Sequence, residues 1–406
     1  MKYIIVLGDG MADWPLDEIG GRTPLEVAEK PNMDRLIKSG IAGTVHTIPE
    51  GMPAGSDVAN LSVFGFDPKI CYTGRSPLEA ISMGIKLNSD DTALRCNLVT
   101  LSNEDEYENR SMVDYSAGEI TTEESSALIK DVAKGLNRDG IAFYPGISYR
   151  HCLIWKNGPL DISLTPPHDI SGKKVAKYLP KGPGCEIALE LMKKSTKILN
   201  NHPVNLSRIE RGLNPANSIW LWGQGKKPEI PLFIEKYGIY GSVISAVDLV
   251  KGIGIASGMK SVNVKGATGN IKTNFKGKAE AALKELQEGR DLVYIHIEAP
   301  DECGHQGQLK EKIRAIELID RDVLGTLLNG LESIGHYRLM VLPDHPTPIA
   351  IRTHCADPVP FFIYDSRKPD VINPEAVYSE AFAKSTGLVI KEGFTLMDKF
   401  LEADRP

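Results

Sequence analysis

No stretch of this 406-residue chain approaches the roughly 18 consecutive apolar residues that a membrane helix needs. The first apolar run, Tyr3 to Leu7, stops at Gly8-Asp9-Gly10, which reads as a strand and excludes a signal peptide. No block of Lys or Arg is present and the net charge is -6, which argues against a nucleic-acid-binding body. Cysteine is scarce: residues 71, 96, 152, 185, 303 and 355 form no CxxC pair and no dense framework. They read as reduced thiols of a cytosolic protein. There is no internal repeat, no low-complexity tract and no GxxxxGK[ST] loop, the last excluding only a P-loop kinase. Charged residues at 25% and apolar residues at 42% are those of a soluble globular enzyme, expected in the cytoplasm. An acidic chain of this kind still binds a phosphate ester if metal and arginine are concentrated in its pocket.

At this length two domains are expected. The N-terminal strand is followed by a loop, a helix near Asn32 to Ser39, and a Gly/Pro/Ser-rich stretch over 44–80. Within that stretch Ser56 to Leu61 reads as a loop feeding a helix. From about Thr92 the texture becomes α+β, with strands at Ala93–Thr100 and Arg150–Trp155 and helices at Thr122–Leu136 and Cys185–Leu199. The segment Asn214 to Pro231 reads as a linker. After it, strand-helix alternation resumes, and the helix near Gln308 to Leu331 is expected to cover a sheet without a chemical role. One sheet domain (1–84 and 226–406) is therefore expected to be interrupted by an inserted one (85–225) that covers the sheet's carboxyl edge, with hinges near 85 and 225.

The chemistry gathers at strand ends. Tyr3–Leu7 runs into Asp9, Leu292–Ile297 into Asp301 and His305, and Leu339–Leu342 into Asp344 and His345, with His354 ten residues beyond Asp344. In an open parallel sheet, ligands collect at the carboxyl ends of the strands. Six Asp and His side chains delivered there suit a pair of divalent cations, which narrows the chemistry to phosphoryl transfer or a related hydrolysis. Asp301 and His305, four apart, share one face if helical. His296, inside its strand, reads as structural or as a neighbour of the ligands. Such cations also make an alkoxide available near neutral pH, so a nucleophile is expected. Ser56, between Gly55 and Asp57 before a helix, is the leading candidate; Thr23, Ser62, Thr73 and Ser76 remain rivals on sequence alone.

Six motifs in this order resemble one family: Leu7-Gly-Asp-Gly-Met11, Pro53-Ala-Gly-Ser-Asp-Val-Ala-Asn-Leu61, Gly74-Arg-Ser-Pro-Leu-Glu-Ala80, Gly266-Ala-Thr-Gly269, Asp301 to His305 and Pro343-Asp-His345. The family is that of the archaeal-type, cofactor-independent phosphoglycerate mutases of the alkaline phosphatase superfamily, and the resemblance runs from residue 1 to about 400. It implies an α/β fold, an alkaline-phosphatase-like sheet domain covered by helices on both faces, with an inserted α+β cap. It implies two divalent cations, Mn²⁺ first, with Mg²⁺, Co²⁺ or Zn²⁺ as alternatives. By position, Asp9, Ser56, Asp344 and His345 would hold one ion and Asp301, His305 and His354 the other, and Ser56 would be phosphorylated in turnover. The implied reaction interconverts 3-phosphoglycerate and 2-phosphoglycerate in glycolysis and gluconeogenesis.

A phosphoglycerate carries a carboxylate and a phosphate, both suited to bidentate arginine. Cap candidates are Arg95, Arg150 and His151, with Asn97, His168 and Asp169 behind them. Arg75 and Lys251 are expected to reach in from the sheet domain. Asp169 or His151 would serve as acid/base at the sugar-acid hydroxyl. The nearest rival keeps the metal site and changes the acceptor, as in homoserine phosphorylation; a catalytically dead scaffold is disfavoured because no ligand is missing. The sequence leaves the oligomeric state open.

Overall fold

The computed structural model describes residues 1–401. The strands, in chain order, are β1 (Lys2–Gly8) and β2 (Ile41–Val45); then β3 (Asp91–Leu101), β4 (Met112–Asp114), β5 (Ile141–Tyr144), β6 (Arg150–Lys156) and β7 (Ser218–Lys226). They continue with β8 (Gly241–Ile244), β9 (Lys260–Val262), β10 (Leu292–Ile297), β11 (Tyr337–Leu342), β12 (Val359–Asp365) and β13 (Val389–Ile390). Two compact units divide them: Met1–Tyr72 with the chain from Glu229 onward, and Thr73–Pro228.

The first unit is built on an eight-stranded sheet in the order β13-β2-β12-β11-β1-β10-β8-β9. β1 lies between β10 and β11 and runs parallel to both, with Leu7 opposite His296 on one side and Leu342 on the other. The three strands that carry Asp9, Asp301 and Asp344 are thus central neighbours whose carboxyl ends coincide. The sheet is not wholly parallel: β12 is antiparallel to both β11 and β2. Both faces of β10 are covered. Val293 and Ile295 join the core beneath the helix Phe275–Gln287. Tyr294 points the other way and stacks on Phe64 at 4.0 Å. This double burial explains runs such as Leu292–Ile297 that are apolar without alternation.

The helix over Leu309–Leu331 contains one wider π turn at Ile319–Leu324. It does more than cover the sheet. Lys312 is fully buried, and its Nζ donates to Asp13 Oδ2 at 2.7 Å, to the Thr347 carbonyl at 2.8 Å and to the Ala12 carbonyl at 3.2 Å. One cation thereby ties the loop after β1 to the loop after β11.

The second unit is an antiparallel sheet centred on β3, which pairs with β6 and β7, with β4 at its end and β5 outside β6. The helices Thr122–Leu136 and Cys185–Leu199 pack on one face. The expected linker 214–231 is corrected here: Ile219 to Leu221 pair with β3 and are buried. The boundary expected near 85 is also corrected, because the helix Arg75–Ser82 belongs to this unit. Thr73 Oγ1 donates to the Lys226 carbonyl at 2.6 Å and Ser76 Oγ to that of Gly223, so both clamp the helix to β7. Gly74 makes that approach possible: its φ is 121°, and an added Cβ would stand 2.9 Å from the Gln224 carbonyl oxygen.

A candidate two-metal centre

Asp9 follows β1, Asp344 and His345 follow β11, and Asp301 and His305 lie on the short helix Ala299–His305 after β10. The four-residue spacing is helical as expected, and Asp301 Oδ2 lies 3.4 Å from His305 Nε2. His354 completes that side, with Nε2 3.3 Å from Asp301 Oδ1 and 2.9 Å from His305 Nε2. On the other side His345 Nε2 is 3.5 Å from Asp9 Oδ1, 3.4 Å from Asp344 Oδ2 and 3.0 Å from Ser56 Oγ. All seven residues expected at the metals therefore meet in one cluster.

The donors form three overlapping sets, each with its ligand atoms within 4.8 Å of one another: Asp301, His305 and His354; Asp9, His296 and Asp344; and Asp9, Asp301 and His345. Burial is deep, with Asp344 and His345 fully enclosed and Asp9 2% exposed. Among the described residues, Asp9 Oδ1 has no hydrogen-bond partner. Burial, reinforced by the charges of Asp344 and Asp301, raises the Asp9 carboxyl well above its ordinary range. Burial also works to raise Asp301, but hydrogen bonds from His305 and His354 hold it well below. The Asp301 bond lifts His305 to about 9, whereas burial lowers His345. Three enclosed carboxylates, an orphaned carboxylate oxygen and converging imidazole nitrogens form a donor set that fits a pair of divalent cations.

Neighbouring groups orient the donors. Asp344 Oδ1 accepts from the Gly10 amide at 3.1 Å and the His345 amide at 2.9 Å. Thr347 Oγ1 donates to Asp301 Oδ1 at 2.5 Å, and His305 Nδ1 lies 3.0 Å from the Arg352 carbonyl. One contributor, Asn60, escaped sequence reading, and His296 stands as a neighbour of the donors. Asn60, fully buried, donates to Asp344 Oδ2 at 2.8 Å and to the Ser56 carbonyl at 2.9 Å, while its Oδ1 accepts from the Tyr294 hydroxyl at 2.7 Å. His296 lies with Nε2 3.0 Å from Asp9 Oδ2, and burial pushes its pKa down to about 3, so the ring is neutral. For Asn60 the available signal was a polar residue inside the otherwise apolar part of the helix that Ser56 opens.

Ser56 opens the helix Ser56–Val63. Its rivals are each committed elsewhere. Thr23 caps the helix Pro24–Val27, Ser62 donates to the Thr47 carbonyl, and Thr73 and Ser76 hold β7.

In the second unit, Arg95 lies over the Trp222 ring at 4.3 Å and Arg150 over Tyr149 at 5.2 Å. His168 stands 5.2 Å from Trp222, with exposed Asp169 3.6 Å from its Nε2. Arg75 belongs to this group and not to the sheet unit, whereas Lys251 pairs with Asp248 in the sheet unit at 3.7 Å. The acid/base assignment of His151 does not hold. It pairs with Cys96 on the helix-covered face, opposite to Cys152 and Arg95, and its Nδ1 accepts from the Gly146 amide at 2.9 Å. Buried there, its pKa falls to about 3.

Residues 38–205 match the family model described as 2,3-bisphosphoglycerate-independent phosphoglycerate mutase. A Methanosarcina barkeri protein of that name is 50% identical over 392 residues, covering 96% of this chain and 97% of its own. Among solved structures, the PH0037 protein from Pyrococcus horikoshii is 32% identical with a TM-score of 0.81, covering 100% of this chain and 98% of its own. The cofactor-independent phosphoglycerate mutase from Thermoplasma acidophilum is 28% identical with a TM-score of 0.66, covering 99% of both chains. Identity of this order along nearly the whole length leaves one conclusion: the chain belongs to the family of 2,3-bisphosphoglycerate-independent phosphoglycerate mutases.

Proposed function

We propose that this protein interconverts 3-phosphoglycerate and 2-phosphoglycerate without 2,3-bisphosphoglycerate, through a phosphoserine at Ser56 and with two divalent cations, Mn²⁺ foremost. The observation that carries the reading is the position of Ser56 Oγ, 3.0 Å from His345 Nε2 at the head of a helix and among the donors. Asp9, Ser56, Asp344 and His345 would hold one ion, and Asp301, His305 and His354 the other. When bound, such ions supply Lewis-acid chemistry: they acidify a neighbouring hydroxyl and neutralise charge on a transferring phosphoryl group.

Ser56 Oγ attacks phosphorus, the bond from phosphorus to the C3 oxygen breaks, and that oxygen leaves with a proton. Glycerate turns, and its C2 hydroxyl attacks the phosphoserine, releasing Ser56 and giving up a proton. Helix N-terminal amides beside Ser56 favour the negative charge of the phosphoryl group. Arg75, Arg95 and Arg150 are assigned to the substrate's anionic groups, and Asp169 to the proton exchanged at its hydroxyls. Water must be kept out while glycerate turns, or the phosphoserine hydrolyses. Such a pathway belongs to glycolysis and gluconeogenesis. Homoserine phosphorylation finds no support in the relatives named above.

The test follows 2-phosphoglycerate formed from 3-phosphoglycerate by the full chain with Mn²⁺ and no 2,3-bisphosphoglycerate. Ser56→Ala is expected to lower kcat by about a thousandfold or more. Undiminished turnover by that variant would remove the phosphoserine step. Turnover of homoserine with ATP, and none of phosphoglycerate, would replace the mutase with a kinase.

A further inference from the structure

The second unit gathers three arginines around one carboxylate. Arg75 and Glu79 stand four apart on the helix Arg75–Ser82, and Arg75 Nε donates to Glu79 Oε1 at 2.9 Å. Arg95 Nε, from the middle of β3, lies 3.0 Å from Glu79 Oε2. Each carboxylate oxygen thus receives one guanidinium. Arg150 is near enough for its charge to act on both Glu79 and Arg95.

A salt bridge that only fastened the helix to β3 would be complete with one arginine. Here the carboxylate spends itself on the Nε side of two. For Arg95, the Trp222 ring fixes the plane of the guanidinium and the Glu79 contact fixes its direction. The Trp222 indole is itself held, donating to Asn97 Oδ1 at 3.0 Å. Glu79 and Arg95 are largely enclosed, at 16% and 10% side-chain exposure, so their contact is screened less than a surface pair. Burial works to raise the Glu79 carboxyl, but Arg95 and Arg75 hold it below its ordinary range and keep it ionised. One carboxylate among three guanidinium groups leaves an excess of two positive charges, which suits a small ligand with two anionic groups.

We propose that Glu79 is a positioning residue for substrate: it aims Arg95 so that its guanidinium meets an anionic group of a small phosphorylated acid. This rests on the mutase reading for the identity of that acid. The proposal makes a prediction opposite in sign to simple charge arithmetic. Glu79→Gln adds one positive unit to an anion site, which by charge alone tightens binding. Loss of aim loosens it.

The Mn²⁺-loaded full chain is titrated calorimetrically with 3-phosphoglycerate, and KM and kcat are measured in parallel. Glu79→Gln is expected to raise Kd and KM about tenfold or more, with kcat within about threefold of wild type. Equal or tighter binding would overturn the proposal. Arg95→Lys, which keeps the charge and loses the fork, provides the same readout if Glu79→Gln does not fold. There too, a tenfold loss supports the proposal and unchanged binding overturns it. If the wild type does not turn over 3-phosphoglycerate, the mutase reading fails. Glu79 is then judged by the affinity of wild type and variant for inorganic phosphate, on the same two criteria.

Discussion

Asn60 joins Ser56 to Asp344 through one amide: its Nδ2 reaches both Asp344 Oδ2 and the Ser56 carbonyl, and Tyr294 holds its other end. Removing it frees the Asp344 carboxylate to rotate and strands the Tyr294 hydroxyl. Asn60→Ala is expected to weaken divalent-ion affinity about 10- to 100-fold, read by calorimetric titration of the metal-stripped full chain with Mn²⁺. A second residue-scale prediction concerns Glu380, whose oxygens accept from Thr23 Oγ1 at 2.7 Å and the Asp13 amide at 3.1 Å. Burial lifts its pKa to about 7 from an ordinary value near 4.5. The native state therefore holds that proton more tightly than the unfolded chain. The associated stability is present below about pH 4.5 and lost as pH rises through about 7. Glu380→Gln is neutral throughout, so its unfolding free energy relative to wild type should climb between pH 5 and 8, by on the order of 2–3 kcal/mol in urea titrations.

At the scale of elements, strand ends explain why the site was legible. Asp9, Asp301 and Asp344 each follow an apolar run, and the parallel pairing of β1 with β10 and β11 brings their ends together. Asn60 was hidden for the converse reason. It sits inside an element, where a polar letter reads as a satisfied core residue, and only the three-dimensional structure shows which neighbour satisfies it. β7 was misread because Gly223 and Gly225 punctuate it like a loop. Those glycines serve an approach: a Cβ on Gly225 would stand 2.4 Å from the Thr73 carbonyl oxygen. The helix beyond Gly74 was assigned to the wrong unit because nothing in its own letters names β7 as its partner. Gly74→Ala should cost about 2 kcal/mol or more in denaturant unfolding, the sum of a left-handed backbone and a crowded carbonyl. With Arg75 and Glu79 just beyond, it should also raise KM for phosphoglycerate.

For the whole molecule, the metal donors are also structural links among distant parts of the chain. Cations that bind the native cluster stabilise it by mass action, about 2.7 kcal/mol per site at a hundredfold excess over Kd. Chelation should lower the thermal midpoint by several degrees, and Asp344→Ala should abolish the Mn²⁺-dependent part of that shift. The shift should shrink as pH falls, because the carboxylate and imidazole ligands must be deprotonated to bind.

The place of β1 between β10 and β11 has a temporal consequence. Tyr3 pairs with Leu292 on one side and Arg338 on the other, so β1 is flanked only by strands made about 290 residues or more after it. At about 5–20 residues per second, it waits roughly 15–60 s with both edges unpaired and its apolar side chains uncovered. The Thr73–Pro228 unit, whose strands pair among themselves, has all its partners as soon as it emerges. Synthesis therefore completes the second unit's sheet while β1 still waits, and the eight-stranded sheet closes after it.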